Sequence, residues 1–153
     1  MNRLDTRFED ADESAGLLLW QVTNRWQAEQ RAVLKPYGLT HVQFVLLASL
    51  TWLSGEGPAD RPVNQRALAD HAATDPMMTS QVLRVLEERG WVTREPHPDD
   101  RRAFALQVTH DGVALVQRAN AAVEQCDVDF FAALGSRGPA FRRGLRTLRD
   151  AHA

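Results

Sequence analysis

The residues best placed to do chemistry fall into two groups separated by about twenty positions. The first is Met77, Met78, Ser80, Gln81 and Arg84, and the second is Asp99, Asp100, Arg101 and Arg102. Both sets suit recognition of double-stranded DNA. Glutamine pairs with adenine in the major groove, arginine grips guanine or phosphate, serine bonds either, and a methionine can touch a thymine methyl. An arginine on a turn can enter a narrow A/T-rich minor groove, with a neighbouring acid fixing its orientation. Each group also has a plainer reading. The first could be a solvated helix face, and the second a turn with local ion pairs, which contribute little at a surface. Other chemistries find less support. There is no Ser-His-Asp set, phosphate-cradling glycine loop or paired zinc motif. Histidines 41, 71, 97, 110 and 152 include no pair at the i, i+4 spacing of helical metal sites. No metal site or cofactor is therefore expected, and a metal sensor would have to assemble through the tertiary fold. Cys126 is the lone cysteine, and its place on an apolar helix face predicts a buried, inert thiol rather than a redox sensor.

The elements that must position these residues follow from periodicity and caps. Asp75 is a good N-cap and Pro76 suits the first helical position, so a helix is predicted from Pro76 to about Glu88, stopped by Gly90. Thr79, Val82, Leu83 and Leu86 form its inward stripe. Met77, Gln81, Arg84 and Glu88 lie opposite, with Met78 and Ser80 flanking. Asn64 can cap a short preceding helix, Gln65 to His71, joined to the second by Ala73-Thr74-Asp75. Trp91 to Glu95 reads as a strand, and Pro96 to Asp100 as a turn cluster. Arg102 to Val108 reads as a second strand, with Ala103, Ala105 and Gln107 on one face and Phe104, Leu106 and Val108 on the other. Two helices followed by a charged hairpin is the order of a winged helix-turn-helix, whose second helix enters the major groove.

Long helices flank this unit. One is predicted from about Asp12 to Leu34, with Leu17, Leu18, Val22, Trp26 and Val33 at helical spacing. A central helix follows a capping box of Thr40 and Gln43 and is apolar almost all round, which predicts burial. Thr109 caps a long helix to about Leu134, broken at Gly135-Ser136. A last amphipathic helix runs from about Pro139 to Ala151, with Phe141, Leu145 and Leu148 expected inward. Terminal helices this long often bury their apolar faces against a second subunit, so a homodimer is expected.

The totals agree. A chain of 153 residues with 44% hydrophobic and 25% charged residues can bury a core without disulfides. No apolar run is long enough to span a membrane, and the acidic start, Met1 to Glu13, has no apolar signal core. A cytoplasmic protein with no membrane partner is the expectation. The net charge of −2 disfavours indiscriminate coating of nucleic acid but leaves room for a local basic surface. Lys35 is the only lysine, and the other basic residues are arginines.

Taken together, these residues resemble the multiple-antibiotic-resistance regulator (MarR) family. The resemblance is carried by Tyr37-Gly38-Leu39-Thr40 with Phe44, by Leu68-Ala69, and by Leu86-Glu87-Glu88-Arg89-Gly90-Trp91-Val92. Asp100-Arg101-Arg102 leading to Leu106-Gln107-Val108-Thr109, with Gly112 beyond, completes it. It implies one mainly α domain over 1–153. Residues 39–108 would form a winged helix-turn-helix with a small β-hairpin wing, and residues 12–36 and 110–151 long N- and C-terminal dimerisation helices. It also implies a ligand-responsive repressor, not an enzyme, that binds a pseudo-palindromic operator as a homodimer. Arg102 would be the minor-groove arginine and Asp100 its orienting partner. A small aromatic ligand would bind between the dimer helices and the reading lobe, with Trp20, Trp26 and His41 as candidate contacts. Val85 and Gln81 stand where many relatives carry basic residues, which implies fewer phosphate contacts. The rival readings are a metal- or thiol-responsive regulator and a winged helix used as a protein–protein or dimerisation scaffold.

Overall fold

The computed structural model describes residues 4–56, 62–96, 99, 102 and 104–153. Its first long helix, α1 (Ala15–Leu34), begins three residues later than the periodicity predicts. The Asp10 side chain accepts from the Asp12 amide at 2.9 Å and closes a separate 3-10 turn over Ala11–Glu13. Ser14 then caps α1 by accepting from the Leu17 amide at 3.1 Å. A second 3-10 turn, Lys35–Tyr37, ends at Gly38 with φ 67°, a conformation that glycine adopts without a Cβ penalty.

The capping box opens α2 (His41–Glu56) as expected. Gln43 N–H donates to Thr40 Oγ1 at 3.2 Å, and Thr40 N–H to Gln43 Oε1 at 3.0 Å. This helix is the hub of the fold. It packs against α1, α3 (Gln65–Ala72), α4 (Pro76–Glu88), α5 (His110–Phe131) and the second strand. Leu46, Leu47 and Leu50 are fully buried and join Leu34, Leu68, Leu83, Leu86 and Ala119 in one core. Trp52, on the same helix, is exposed.

The hairpin pairs β1 (Val92–Pro96) with β2 (Phe104–Val108) in antiparallel register, from Val92 opposite Val108 to Pro96 opposite Phe104. Pro96, expected in the turn, is instead the last strand residue, a place where proline is tolerated. Simple alternation also fails on β2, where Ala105 and Leu106 are both buried. Val63 bridges β2 on its other edge, accepting from the Leu106 amide at 2.8 Å. The strand is therefore flanked on both sides rather than half exposed. Most of the predicted tip, including Asp100 and Arg101, lies outside the described residues.

Thr109 Oγ1 caps α5 by accepting from the Gly112 amide at 3.1 Å. The helix ends at Phe131, short of the expected Leu134, because a 3-10 turn over Ala132–Arg137 takes up the chain, with Gly135 at φ 52°. The last helix, α6 (Gly138–Ala151), corrects one expectation. Leu145 and Leu148 do not face inward but remain 41% and 57% exposed, and no residue of α6 is buried. A single chain offers too little surface at its C-terminal end to cover them.

Candidate nucleic-acid interface

Helices α3 and α4 are locked at a fixed angle by the turn between them. Ala73 adopts the left-handed conformation, φ 52°, at a cost of roughly 1–2 kcal/mol for a residue with a Cβ. Asp75 caps α4 through the Met78 amide at 2.8 Å. Thr79 is fully buried, yet its hydroxyl is satisfied by the Asp75 carbonyl at 2.8 Å and by Thr74 Oγ1 at 2.7 Å. These bonds hold the first turn of α4, the part of such a helix that meets base edges.

The faces of α4 are those the spacing predicts. Thr79, Leu83 and Leu86 are fully buried, and Val82 is half-buried. Met77, Met78, Gln81 and Arg84 are exposed on one side, with Ser80 half-buried at its edge. Met77 is 71% exposed, so this apolar side chain has no role in packing the single chain. Arg102 is exposed in the turn between the strands.

Two arginines to which the sequence assigned no role of their own, Arg94 and Arg89, position the hairpin against α4. Arg94 on β1 makes a forked pair with Glu87 on the last turn of α4, Nε to Oε1 at 3.1 Å and Nη2 to Oε2 at 3.3 Å. Its guanidinium also lies 5.5 Å from the centre of the Phe104 ring. Arg89, at the C-terminal cap of α4, donates to the Gly38 carbonyl at 2.7 Å and stacks over Trp91 at 4.2 Å. Helix α4, the hairpin and the turn between α1 and α2 are thus tied together. The fork at Arg94 and the stacked guanidinium at Arg89 both favour arginine over lysine.

The candidate ligand contacts separate. Trp26 and His41 meet edge to face, with ring centres 5.0 Å apart. They line a cavity of about 690 Å³ with Arg31, Val42, Val45, Thr74, Asp75 and Met78. The cavity therefore reaches from α1 to the first turn of α4. Trp20, two turns earlier on α1, does not line it and is 69% exposed. Burial, and then the Arg31 charge, hold the His41 imidazole below its ordinary pKa, while Asp127 pulls the other way.

Behind this cavity lies a polar node absent from the sequence-based expectation. Asp127 Oδ1 on α5 accepts from Trp26 Nε1 and from Gln30 Nε2, each at 2.8 Å. Gln30 is fully buried. A glutamine one turn from Trp26 on an otherwise apolar stripe, and a lone aspartate beside Cys126, were the signals available. Cys126 is buried, and that burial, followed by the charges of Glu29, Asp127 and Asp129, raises its thiol pKa. Among the described residues no cluster of three or more metal-ligating side chains occurs, and no helix is long and apolar enough to cross a membrane.

Comparison with known proteins accounts for this arrangement. The profile described as "MarR family" matches residues 39–104. The Bacillus subtilis protein YdcH, an HTH-type transcriptional regulator, is 38% identical over 94% of this chain and 95% of its own length. The Mycobacterium tuberculosis HTH-type transcriptional repressor Rv2887 is 35% identical over 90% and 94%. Among solved structures, BpsR of Bordetella bronchiseptica, whose DNA binding is regulated by 6-hydroxynicotinic acid, superposes with a TM-score of 0.81. It is 26% identical and covers 92% of this chain and 96% of its own. The winged helix, the caps that aim α4 and the full-length similarity to these regulators place the chain in the MarR family of DNA-binding transcriptional regulators, not among enzymes.

Proposed function

We propose that this protein is a homodimeric repressor that binds a pseudo-palindromic operator and is released by a small aromatic ligand. The observation that carries the reading is the exposed face of α4. Met77, Met78, Gln81 and Arg84 project together, with half-buried Ser80 beside them. Gln81 and Arg84 read base edges or phosphate, Ser80 bonds either, and the methionines contact thymine methyls. Arg102, with Arg101 and Asp100 beside it in the sequence, serves the adjacent minor groove.

Dimerisation is supported by apolar surface with no partner in the chain. Leu17, Leu18, Leu19, Trp20 and Val22 on α1, and Leu145 and Leu148 on α6, are all at least 38% exposed. Two recognition helices about 34 Å apart would meet successive major grooves. Repression is the activity named for the Mycobacterium tuberculosis relative. The cavity beside Trp26 and His41 suits a flat aromatic ring, and Arg31 on its wall suits an anionic substituent. A ligand there touches Met78 and Asp75, so it acts on the first turn of α4. It can shift DNA affinity by its differential binding to the two states and no further.

The test is selection from random duplexes at two salt concentrations, followed by Arg102→Ala on the enriched site. An inverted repeat is expected, and the variant should bind it more weakly while remaining dimeric. Failure to enrich any sequence, or normal operator binding by the variant, would overturn the reading or the wing assignment respectively.

A further inference from the structure

Sulfur is distributed unevenly in this chain. Met1 apart, its methionines are Met77 and Met78, side by side in the first turn of α4, and its one cysteine is Cys126 on α5. Met77 is 71% exposed and Met78 43%. Neither belongs to the hydrophobic core, and Met78 borders the open cavity beside Trp26 and His41. Cys126 is the opposite case. It is buried, and burial, then the charges of Glu29, Asp127 and Asp129, raise its pKa. It therefore offers little of the thiolate that oxidants attack. Among the described residues, the accessible sulfur lies on the exposed face of α4 and nowhere else.

Packing does not explain two thioethers there, since methionine ordinarily fills gaps in cores and apolar interfaces. The turn is also built without their side chains. Asp75 accepts from the Met78 backbone amide at 2.8 Å, and Thr79 Oγ1 donates to the Asp75 carbonyl at 2.8 Å. Chemical change at the two sulfurs therefore alters the surface and leaves the fold in place.

We propose that Met77 and Met78 are an oxidation switch. An oxidant of the hypochlorous acid class converts both thioethers to sulfoxides and lowers DNA affinity, and reduction restores it. This rests on the reading of α4 as the helix that contacts DNA. At each sulfur an S–O bond forms as the O–Cl bond breaks. Sulfur gives up two electrons, which leave on chloride, and the hydroxyl proton passes to water. The reverse step takes two electrons from a thiol pair of a sulfoxide reductase and releases the oxygen as water. The sulfoxide is a polar acceptor in place of an apolar sulfur. Toward DNA it is unfavourable twice over. A thymine methyl offers it no donor, so the group is desolvated unpaired, and its partly negative oxygen faces a polyanion.

The test uses the full chain and an inverted repeat enriched from random duplexes. Hypochlorous acid is added in small molar excess and quenched with free methionine, and the products are mapped by peptide mass spectrometry. Sulfoxides should form at Met77 and Met78 before exposed Trp20 and Trp52 or buried Cys126 are modified. Operator affinity should fall by about 10-fold or more, with the far-ultraviolet circular dichroism unchanged. Methionine sulfoxide reductases of both epimer specificities should restore it, and bound operator should slow oxidation at both positions. The double variant Met77→Leu, Met78→Leu, close in volume, is compared with itself before and after treatment and should keep its own affinity. The reductase arm decides the matter even where leucine itself weakens binding. Sulfoxides at both positions with unchanged affinity, or modification elsewhere ahead of them, overturn the switch and leave α4 as the reading helix. So does a loss that the reductases do not reverse, or a leucine variant as sensitive as the parent. An untreated chain that binds no duplex overturns both.

Discussion

Replacing Gly112 by alanine should destabilise the protein, although alanine is the better helix former. Gly112 lies in the first turn of α5, where that helix crosses the base of the hairpin. A Cβ built there would lie 2.3 Å from the Trp91 carbonyl oxygen and 2.8 Å from Val108 Cγ1. Neither neighbour moves freely. The Trp91 carbonyl accepts from the Thr109 amide at 3.0 Å, and Thr109 Oγ1 donates to the Gly90 carbonyl at 2.7 Å while accepting from Gly112 itself. Relief requires the carbonyl to retreat by a sizeable fraction of an ångström, which disrupts the bond from Thr109. Overpacking costs about 3 kcal/mol at the upper end of its usual range, and the lost bond about 1 kcal/mol. The gain in helix propensity returns about 1 kcal/mol. The net loss is therefore about 3 kcal/mol. Urea unfolding followed by circular dichroism, at one fixed protein concentration, should show a lower midpoint at unchanged slope. A loss below about 0.5 kcal/mol, well under the ordinary cost of overpacking, would show that the α5–hairpin crossing is softer than its geometry implies.

Asp127→Ala strands the amide of buried Gln30 and the indole N–H of Trp26, and should cost about 2–4 kcal/mol in the same assay. Asp127→Asn keeps an acceptor and should cost about half as much; equal losses would deny the hydrogen bonds their role. Ala73→Gly removes the left-handed penalty, offset in part by extra freedom in the unfolded chain, and should stabilise by about 0.5 kcal/mol. A loss of stability there would mean that the Ala73 methyl contributes packing. His41 titrates below its ordinary value of 6.5 in the folded chain because of burial and Arg31. Between that lowered value and 6.5 the unfolded chain holds a proton that the folded chain does not, so stability should fall as pH drops through this window. His41→Gln should flatten that part of the stability–pH curve, and an unchanged slope would assign it to other groups.

The local order of elements could be read directly because its signals are local. Asn64, Asp75 and Thr109 cap the helices they were expected to cap, and Thr79, Leu83 and Leu86 turn inward as their spacing requires. Caps and periodicity depend only on neighbours within about a turn, so α4 and its exposed face were settled by the chain itself. What needed the tertiary structure was everything set by partners distant in sequence. Periodicity showed that Leu145 and Leu148 share a face, but not that their own chain leaves it uncovered. Gln30 and Asp127 are 97 positions apart, and nothing local to either names the other as its partner. Only the packing of α1 on α5 brings them together, with Gln30 fully buried and Asp127 half-buried. The same holds for Arg89 and Gly38, 51 positions apart, and for Trp26 and His41, whose shared cavity exists because α1 and α2 fold back on one another. Sequence spacing determines which residues share a face of one element, whereas burial and pairing depend on which face of another element is brought against it.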